Sequence, residues 1–385
     1  ARDAACLRQR LPLPQPLSPR DAALRGRDAA GLSRRGRRGG ELLPARRRWR
    51  RGCVPDGRRP RHHRACDTLR PVTDAHHRPC PAPCVAERSV SGDVDSVLPL
   101  VCRWPRDRAP KGYVIFCHGL GASGRDYAAL SSHWAAHGYL VIHPTFSDWI
   151  GAVAQAEPER GLDPAADLTD WADDPAIRTR MHEILHTPAR WLERIGVVDQ
   201  VMAALDAVFA ATCGCRAGST RGAIAGHSFG AYTAQLLAGA EIDLPGHGPR
   251  SFRDRRFAAA ILLSAQGRDQ QGLREGSWDG LEGPLLNVTG TRDGGAKGQD
   301  WHWKTEPYDF APAGDKYLAV LTDADHYLGG IARAGRSPEP ARRKAVEDLT
   351  LAFLDAHLDG DAAAKAWLDT IADMVGDCPL LFRRK

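Results

Sequence analysis

Gly226-His227-Ser228-Phe229-Gly230 places a serine between two glycines, with a short apolar run before it and small and straight-chain residues after it. Residues 221–225 read as a buried strand and residues 231–238 as a helix packed on a sheet. A G-x-S-x-G pentapeptide also occurs in ordinary glycine-rich turns. Between a strand and a helix, however, it forms a sharp elbow that holds the hydroxyl outward at a helix N-terminus, as a nucleophile requires.

Such a serine needs a base, a carboxylate to orient the base, and donors for the developing oxyanion. Residues 285–293 run as a strand into Asp293, and residues 318–326 run as a strand into His326. That chain order (serine, acid, histidine) assigns Asp293 as the acid and His326 as the base. Asp323 and Asp325 are closer to His326 along the chain, but side chains of near neighbours generally point apart. His302, between Trp301 and Trp303, is a competing base, while His118, His143 and His227 are expected to orient loops or pack beside the elbow. The backbone N–H of Phe229, next after the serine, is the expected first oxyanion donor. The second is the N–H of Leu120, in the glycine-rich His118-Gly119-Leu120-Gly121-Ala122-Ser123 turn.

The elements that must position these groups alternate. Residues 112–118 and 139–144 are continuous apolar runs, as in parallel strands buried on both faces, and 257–264, 284–289 and 316–321 continue the series. A helix over 125–137 ends at Gly138, a long helix is expected over 189–210, and an amphipathic helix over 342–358. Residues 148–188 interrupt the rhythm with Asp, Trp and Pro. They are expected to form a cap-like insertion over the ligand crevice, offering Trp149, Trp171 and Trp191. Trp149, Trp301 and Trp303 are assigned to the substrate pocket.

Charge divides the chain. Residues 1–90 carry 22 Arg, no Lys and 8 acidic residues, whereas residues 91–385 carry 31 basic and 39 acidic ones, so the net +6 describes neither part. The Arg/Pro-rich segment 1–90 lacks a sustained apolar period and is expected to be disordered and dispensable. Three readings of it stand: a solvated extension, a phosphate-binding surface, or sequence that is not natively translated. Cys66, His76, Cys80 and Cys84 are of zinc-binding type without paired knuckle spacing, so no metal site is assigned. Ten cysteines give no legible disulfide framework. No stretch approaches membrane-spanning length and the N-terminus lacks a signal pattern, which favours a cytoplasmic setting and leaves the compartment open.

The loop at 118–123, the segment 134–144 (WAAHGYLVIHP) and the pentapeptide 226–230 together resemble bacterial α/β-hydrolases of the predicted dienelactone hydrolase group. The resemblance extends to platelet-activating-factor acetylhydrolase, chlorophyllase and polyester cutinases, and covers roughly residues 95–370. It implies an α/β-hydrolase fold: a mostly parallel central sheet flanked by helices, spanning 91–385. It also implies a carboxylic-ester hydrolase with Ser228, Asp293 and His326 and no cofactor. Serine stands where dienelactone hydrolases proper use cysteine, and Phe229 where cutinases usually carry Met. The expected partner is a small neutral ester, with no specific nucleic acid or membrane. Oligomeric state is open, and so is the alternative of a non-catalytic scaffold that only binds.

Overall fold

The computed structural model describes residues 84–91, 97–332 and 339–385. Strands β1 (Cys84–Ser91) and β2 (Val97–Trp104) open the described chain as an antiparallel pair. Then come β3 (Gly112–Cys117), helix α1 (Ala128–Ala136) and β4 (Tyr139–Pro144). Helices α2 (Ile150–Ala156), α3 (Pro175–Leu185), α4 (Pro188–Ala203) and α5 (Leu205–Cys213) lead to β5 (Gly222–His227) and α6 (Phe229–Ala238). A small hairpin, β6 (Glu241–Leu244) and β7 (Gly248–Ser251), precedes β8 (Phe257–Leu263), β9 (Leu285–Gly290), α7 (Glu306–Asp309) and β10 (Lys316–Leu321). Helices α8 (Pro340–Leu354) and α9 (Ala362–Thr370) and strands β11 (Met374–Val375) and β12 (Cys378–Arg384) complete it.

Among the described residues the main sheet has the order β1-β2-β4-β3-β5-β8-β9-β10-β12-β11. The six strands from β4 to β10 are parallel and the outer pairs antiparallel. This is the mostly parallel, helix-flanked sheet of an α/β-hydrolase. Strands β3, β4, β5, β9 and β10 are buried along their whole length, which explains why they read as unbroken apolar runs instead of alternating ones. Side-chain alternation divides the core in two. Tyr113, Ile115 and Cys117 of β3 pack with α4, α5 and α6, while Val114 and Phe116 pack with α1, α8 and α9. Across the second face the Trp134 indole N–H donates to Thr350 Oγ1 at 2.9 Å.

Three expectations need correction. Strand β1 begins at Cys84, inside the stretch expected to lack structure, because its backbone pairs with β2 from Cys84↔Trp104 to Ser91↔Val97. The rest of that segment, with Cys66, His76 and Cys80, lies outside the described residues. The helix expected over 189–210 is two helices bent by 63° at Ala204, although the junction holds neither proline nor glycine. The bend leaves Val198 and Val201 on one side and Val208 and Phe209 on the other buried in the same core. Finally, α1 starts at Ala128 and not 125. Asp126 folds back to accept from the Ser123 N–H and hydroxyl at 2.7 and 3.0 Å, which makes 123–127 a turn.

Residues 148–188 carry their own apolar cluster of Ile150, Val153, Ile177, Met181 and Ile184. The insertion is fastened to the turn after β3. Gly121 N–H donates to the Asp148 carbonyl at 3.1 Å and Ile150 N–H to the Gly121 carbonyl at 3.2 Å. Beneath them Arg194 of α4, almost fully buried, grips the Asp148 carboxylate and donates to the His118 carbonyl at 2.9 Å. Its guanidinium lies between the Phe146 and Phe229 rings, at 4.2 and 4.1 Å. Among the described residues no single helix is long and apolar enough to cross a membrane.

Candidate active site

Ser228 sits at the junction of β5 and α6 with φ 54° and ψ −120°, a conformation that L-residues adopt only when the surroundings impose it. The Ser228 N–H is tied to the Leu263 carbonyl at 2.9 Å. The flanking glycines are steric necessities, since a Cβ on Gly230 would strike the Cys117 carbonyl and one on Gly226 the Gly230 carbonyl.

The turns after β9 and β10 are fastened to each other. Arg292 N–H donates to the Ala324 carbonyl and Thr291 N–H to the Leu321 carbonyl, both at 3.0 Å. This brings Asp293, fully buried, to His326, whose side chain is 37% exposed, with Nδ1 2.9 Å from Asp293 Oδ1. Asp293 Oδ2 accepts from the Thr289 hydroxyl at 2.8 Å. Burial pushes the Asp293 pKa up, but the Lys304 ammonium and the His326 imidazole, with hydrogen bonds from His326 and Ser264, outweigh it. The carboxyl is thereby held well below the usual carboxylate range.

The histidine beside the serine links three loops. Gly119 N–H donates to Tyr127 Oη at 2.9 Å, Tyr127 Oη is 3.0 Å from His227 Nδ1, and His227 Nε2 is 2.8 Å from the His326 carbonyl. A carbonyl only accepts, so the proton is on Nε2 and Nδ1 accepts from the tyrosine. Burial, reinforced by the nearby His326, lowers the His227 pKa to about 3 and keeps the ring neutral. His118 is fixed likewise. Its Nδ1–H donates to the Gly119 carbonyl at 2.8 Å and its Nε2 accepts the Phe146 N–H at 3.0 Å, while burial lowers its pKa to about 4. His143 is fully buried against Phe116 and Tyr127.

Ser228 and His326 open onto one cavity of about 300 Å³, walled by Leu120, Ala122, Tyr127, Trp171, Leu185, Trp303 and Tyr327, with His182, Gln266, Gln270 and Lys304 as its polar members. Within Gly119–Ala122 the N–H groups of Gly119, Gly121 and Ala122 have acceptors. That of Leu120 has none among the described residues. Phe229 is the first residue of α6, where an N–H has no acceptor within the helix.

Of the expected pocket tryptophans the structure places one at the cavity. Trp303 lines it, its indole N–H held by the Arg268 carbonyl at 2.9 Å. Trp301 is not at the cavity; it stacks on His302 and packs against Tyr308 of α7 and Leu318 and Val320 of β10. Trp149 faces away too: its backbone joins Gly121 and its indole folds over Gly151. The place expected for it is taken by Trp171, whose ring presses on Gly121. His302 and Asp300 form an exposed pair at 3.1 Å. Asp323 is exposed, and Asp325 turns to the Tyr327 N–H at 2.9 Å.

Sequence reasoning missed Lys304, Gln266 and Gln270, and named Trp171 among the insertion's tryptophans while assigning Trp149 to the pocket. Nothing local marked Lys304. Among the described residues no group of three or more His, Cys, Asp or Glu side chains is arranged to hold a metal ion.

Residues 104–265 match the model of a family described as platelet-activating factor acetylhydrolase, isoform II. The matched stretch contains the Leu120 loop, the insertion and the Ser228 elbow, and ends before Asp293 and His326. No curated protein matches the chain. Over that stretch, under half of the chain, the protein is similar to this family, which agrees with the α/β-hydrolase sheet described above.

Proposed function

We propose that the protein is a serine esterase that hydrolyses neutral carboxylic esters through an acyl-enzyme. Ser228 Oγ attacks the ester carbonyl, and His326 Nε2 takes its proton and returns it to the leaving alcohol. Asp293 holds the other ring nitrogen and stabilises the imidazolium that forms. Water, activated by the same imidazole, then releases the acid. The N–H groups of Leu120 and Phe229 receive the oxyanion. The observation that carries this reading is the convergence on one cavity of a strained, outward serine and a histidine whose Nδ1 is bonded to a buried carboxylate.

Neutral substrates fit the walls. They are mainly apolar and aromatic, and the ammonium of Lys304 is engaged by Ser264 and Asp293 instead of being available to a substrate carboxylate. The test is labelling by a fluorophosphonate probe together with turnover of chromogenic esters of graded acyl length. Ser228→Ala should abolish labelling and lower turnover by about 10⁶-fold with the fold intact. Near-parental turnover in Ser228→Ala, or a strong preference for dicarboxylate esters, refutes the reading.

A further inference from the structure

Lys304 is a buried cation whose place in the cavity wall the proposed chemistry leaves unexplained. It lies in the 3-10 turn Trp301–Thr305, with a side chain only 3% exposed. Its ammonium donates to Ser264 Oγ at 3.1 Å, lies 3.4 Å from the Ser264 carbonyl and 3.7 Å from Asp293 Oδ1, and sits 5.2 Å from the centre of the Trp303 ring. Ser264, the residue after β8, has φ 56° and its hydroxyl 2.8 Å from His326 Nδ1. An ammonium cannot accept, so the hydroxyl accepts from Lys304. The His326 Nδ1–H is then shared between Asp293 Oδ1 and Ser264 Oγ. Removing a lysine ammonium from water is costly unless a counter-charge offsets it, and Asp293 is that counter-charge.

Resting on the triad reading, we propose that Lys304, acting through Ser264 and Asp293, is a positioning residue that sets how strongly the Asp293 carboxylate holds a proton on His326. With the cation in place the carboxylate is partly neutralised and holds the imidazole proton less tightly. The ionisable groups facing the cluster are few. Asp293 comes from the turn after β9, His326 from the turn after β10, and His227 from the end of β5, its ring 4.9 Å from that of His326. Glu306, next along the chain in α7, is turned to Arg268 at 3.0 Å. Asp300 and His302 are exposed and paired with each other.

The test is the pH dependence of kcat/KM and of the fluorophosphonate labelling rate, which is read from active sites and is therefore insensitive to the yield of folded protein. Lys304→Met should still label, with its acid limb moved up by about one pH unit and kcat lowered more than KM is raised. Lys304→Arg, which keeps the charge, should restore the limb towards the parental position. If Lys304→Met gives no labelled protein, Lys304→Gln, which keeps a donor for Ser264 and removes the charge, should move the limb in the same direction. An acid limb that superimposes on that of the parent, in Lys304→Met or, where that variant fails, in Lys304→Gln, overturns the proposal. Asp293→Asn separates the two levels. If it retains near-parental activity, the triad assignment itself falls and not only the part given to Lys304.

Discussion

Arg194 and Asp148 meet through two parallel contacts, Nε to Oδ2 at 2.6 Å and Nη2 to Oδ1 at 2.5 Å, with each side chain only 1% exposed. The pair joins α4 to the first residue of the insertion. Replacing Arg194 by Met strands a buried carboxylate and should lower unfolding stability by about 3–5 kcal/mol. Because Arg194 also holds the His118 carbonyl, ester turnover should fall further than the loss of folded protein explains. Denaturant unfolding and active-site-normalised turnover check both, and a stability change under about 1 kcal/mol would contradict the assigned burial.

Four aspartates lie near the proposed base in sequence or on the loops around it, and the geometry singles out Asp293. Asp293→Asn, which leaves a neutral amide against Nδ1, should lower kcat by about 10⁴-fold. Asp300→Asn and Asp325→Asn should remain within a few-fold of the parent, because those carboxylates serve His302 and the Tyr327 N–H. A larger loss in either than in Asp293→Asn would move the acid.

His118 and His227 are held neutral, with pKa values lowered to about 4 and about 3, chiefly by burial. In the unfolded chain both titrate near the ordinary histidine value of about 6.5. The unfolded state therefore binds protons that the native state refuses. The stability these rings contribute is fully present above about pH 6.5 and is lost as pH falls towards the folded values. Between pH 6.5 and 5 the two together should cost about 3 kcal/mol, measurable by denaturant unfolding at both pH values. Equal stability at the two would show that the rings take up protons in place.

Trp171 and Trp301 test which aromatic wall meets substrate. Trp171→Ala should lower kcat/KM by about tenfold while unfolding stability changes little, since its ring bounds the cavity. Trp301→Ala should do the reverse, costing about 1–3 kcal/mol of stability with kcat/KM within about twofold, because its contacts are Tyr308 and the β10 side chains. A kinetic effect confined to Trp301 would exchange their roles.

The places of Ser228, Asp293 and His326 in the turns that follow β5, β9 and β10 were legible, because the buried strands and the turns announce themselves over a few residues. Lys304 was not. Its partners, Ser264 and Asp293, are 40 and 11 positions away, and only the packing of the 301–305 turn against β9, where Asn287 Nδ2 donates to the Lys304 carbonyl at 2.9 Å, brings them together. Trp149 was misplaced for a similar reason, since apolar character in an insertion does not tell which ring faces the cavity. The bend at Ala204 had no local sign, because the residues around it are good helix formers and the turn is imposed by the core on which both halves lie. Strand β1 was overlooked because Cys84–Ser91 adjoins the Arg/Pro-rich stretch, with Glu87 and Arg88 interrupting its apolar residues, and is held by its backbone pairing with β2. A chain trimmed to begin at Glu87 would cut through it.

The exchange of backbone hydrogen bonds between Gly121 and the start of the insertion makes the wall of the cavity and the loop carrying the Leu120 N–H a single mechanical part. A substrate too bulky for the space would have to lever the insertion outward, and the lever arm ends at the Leu120 N–H, the proposed oxyanion donor. Oversized acyl groups would then bind acceptably and react slowly, so discrimination by size would be exerted on the transition state, where it governs the rate, and not on the encounter.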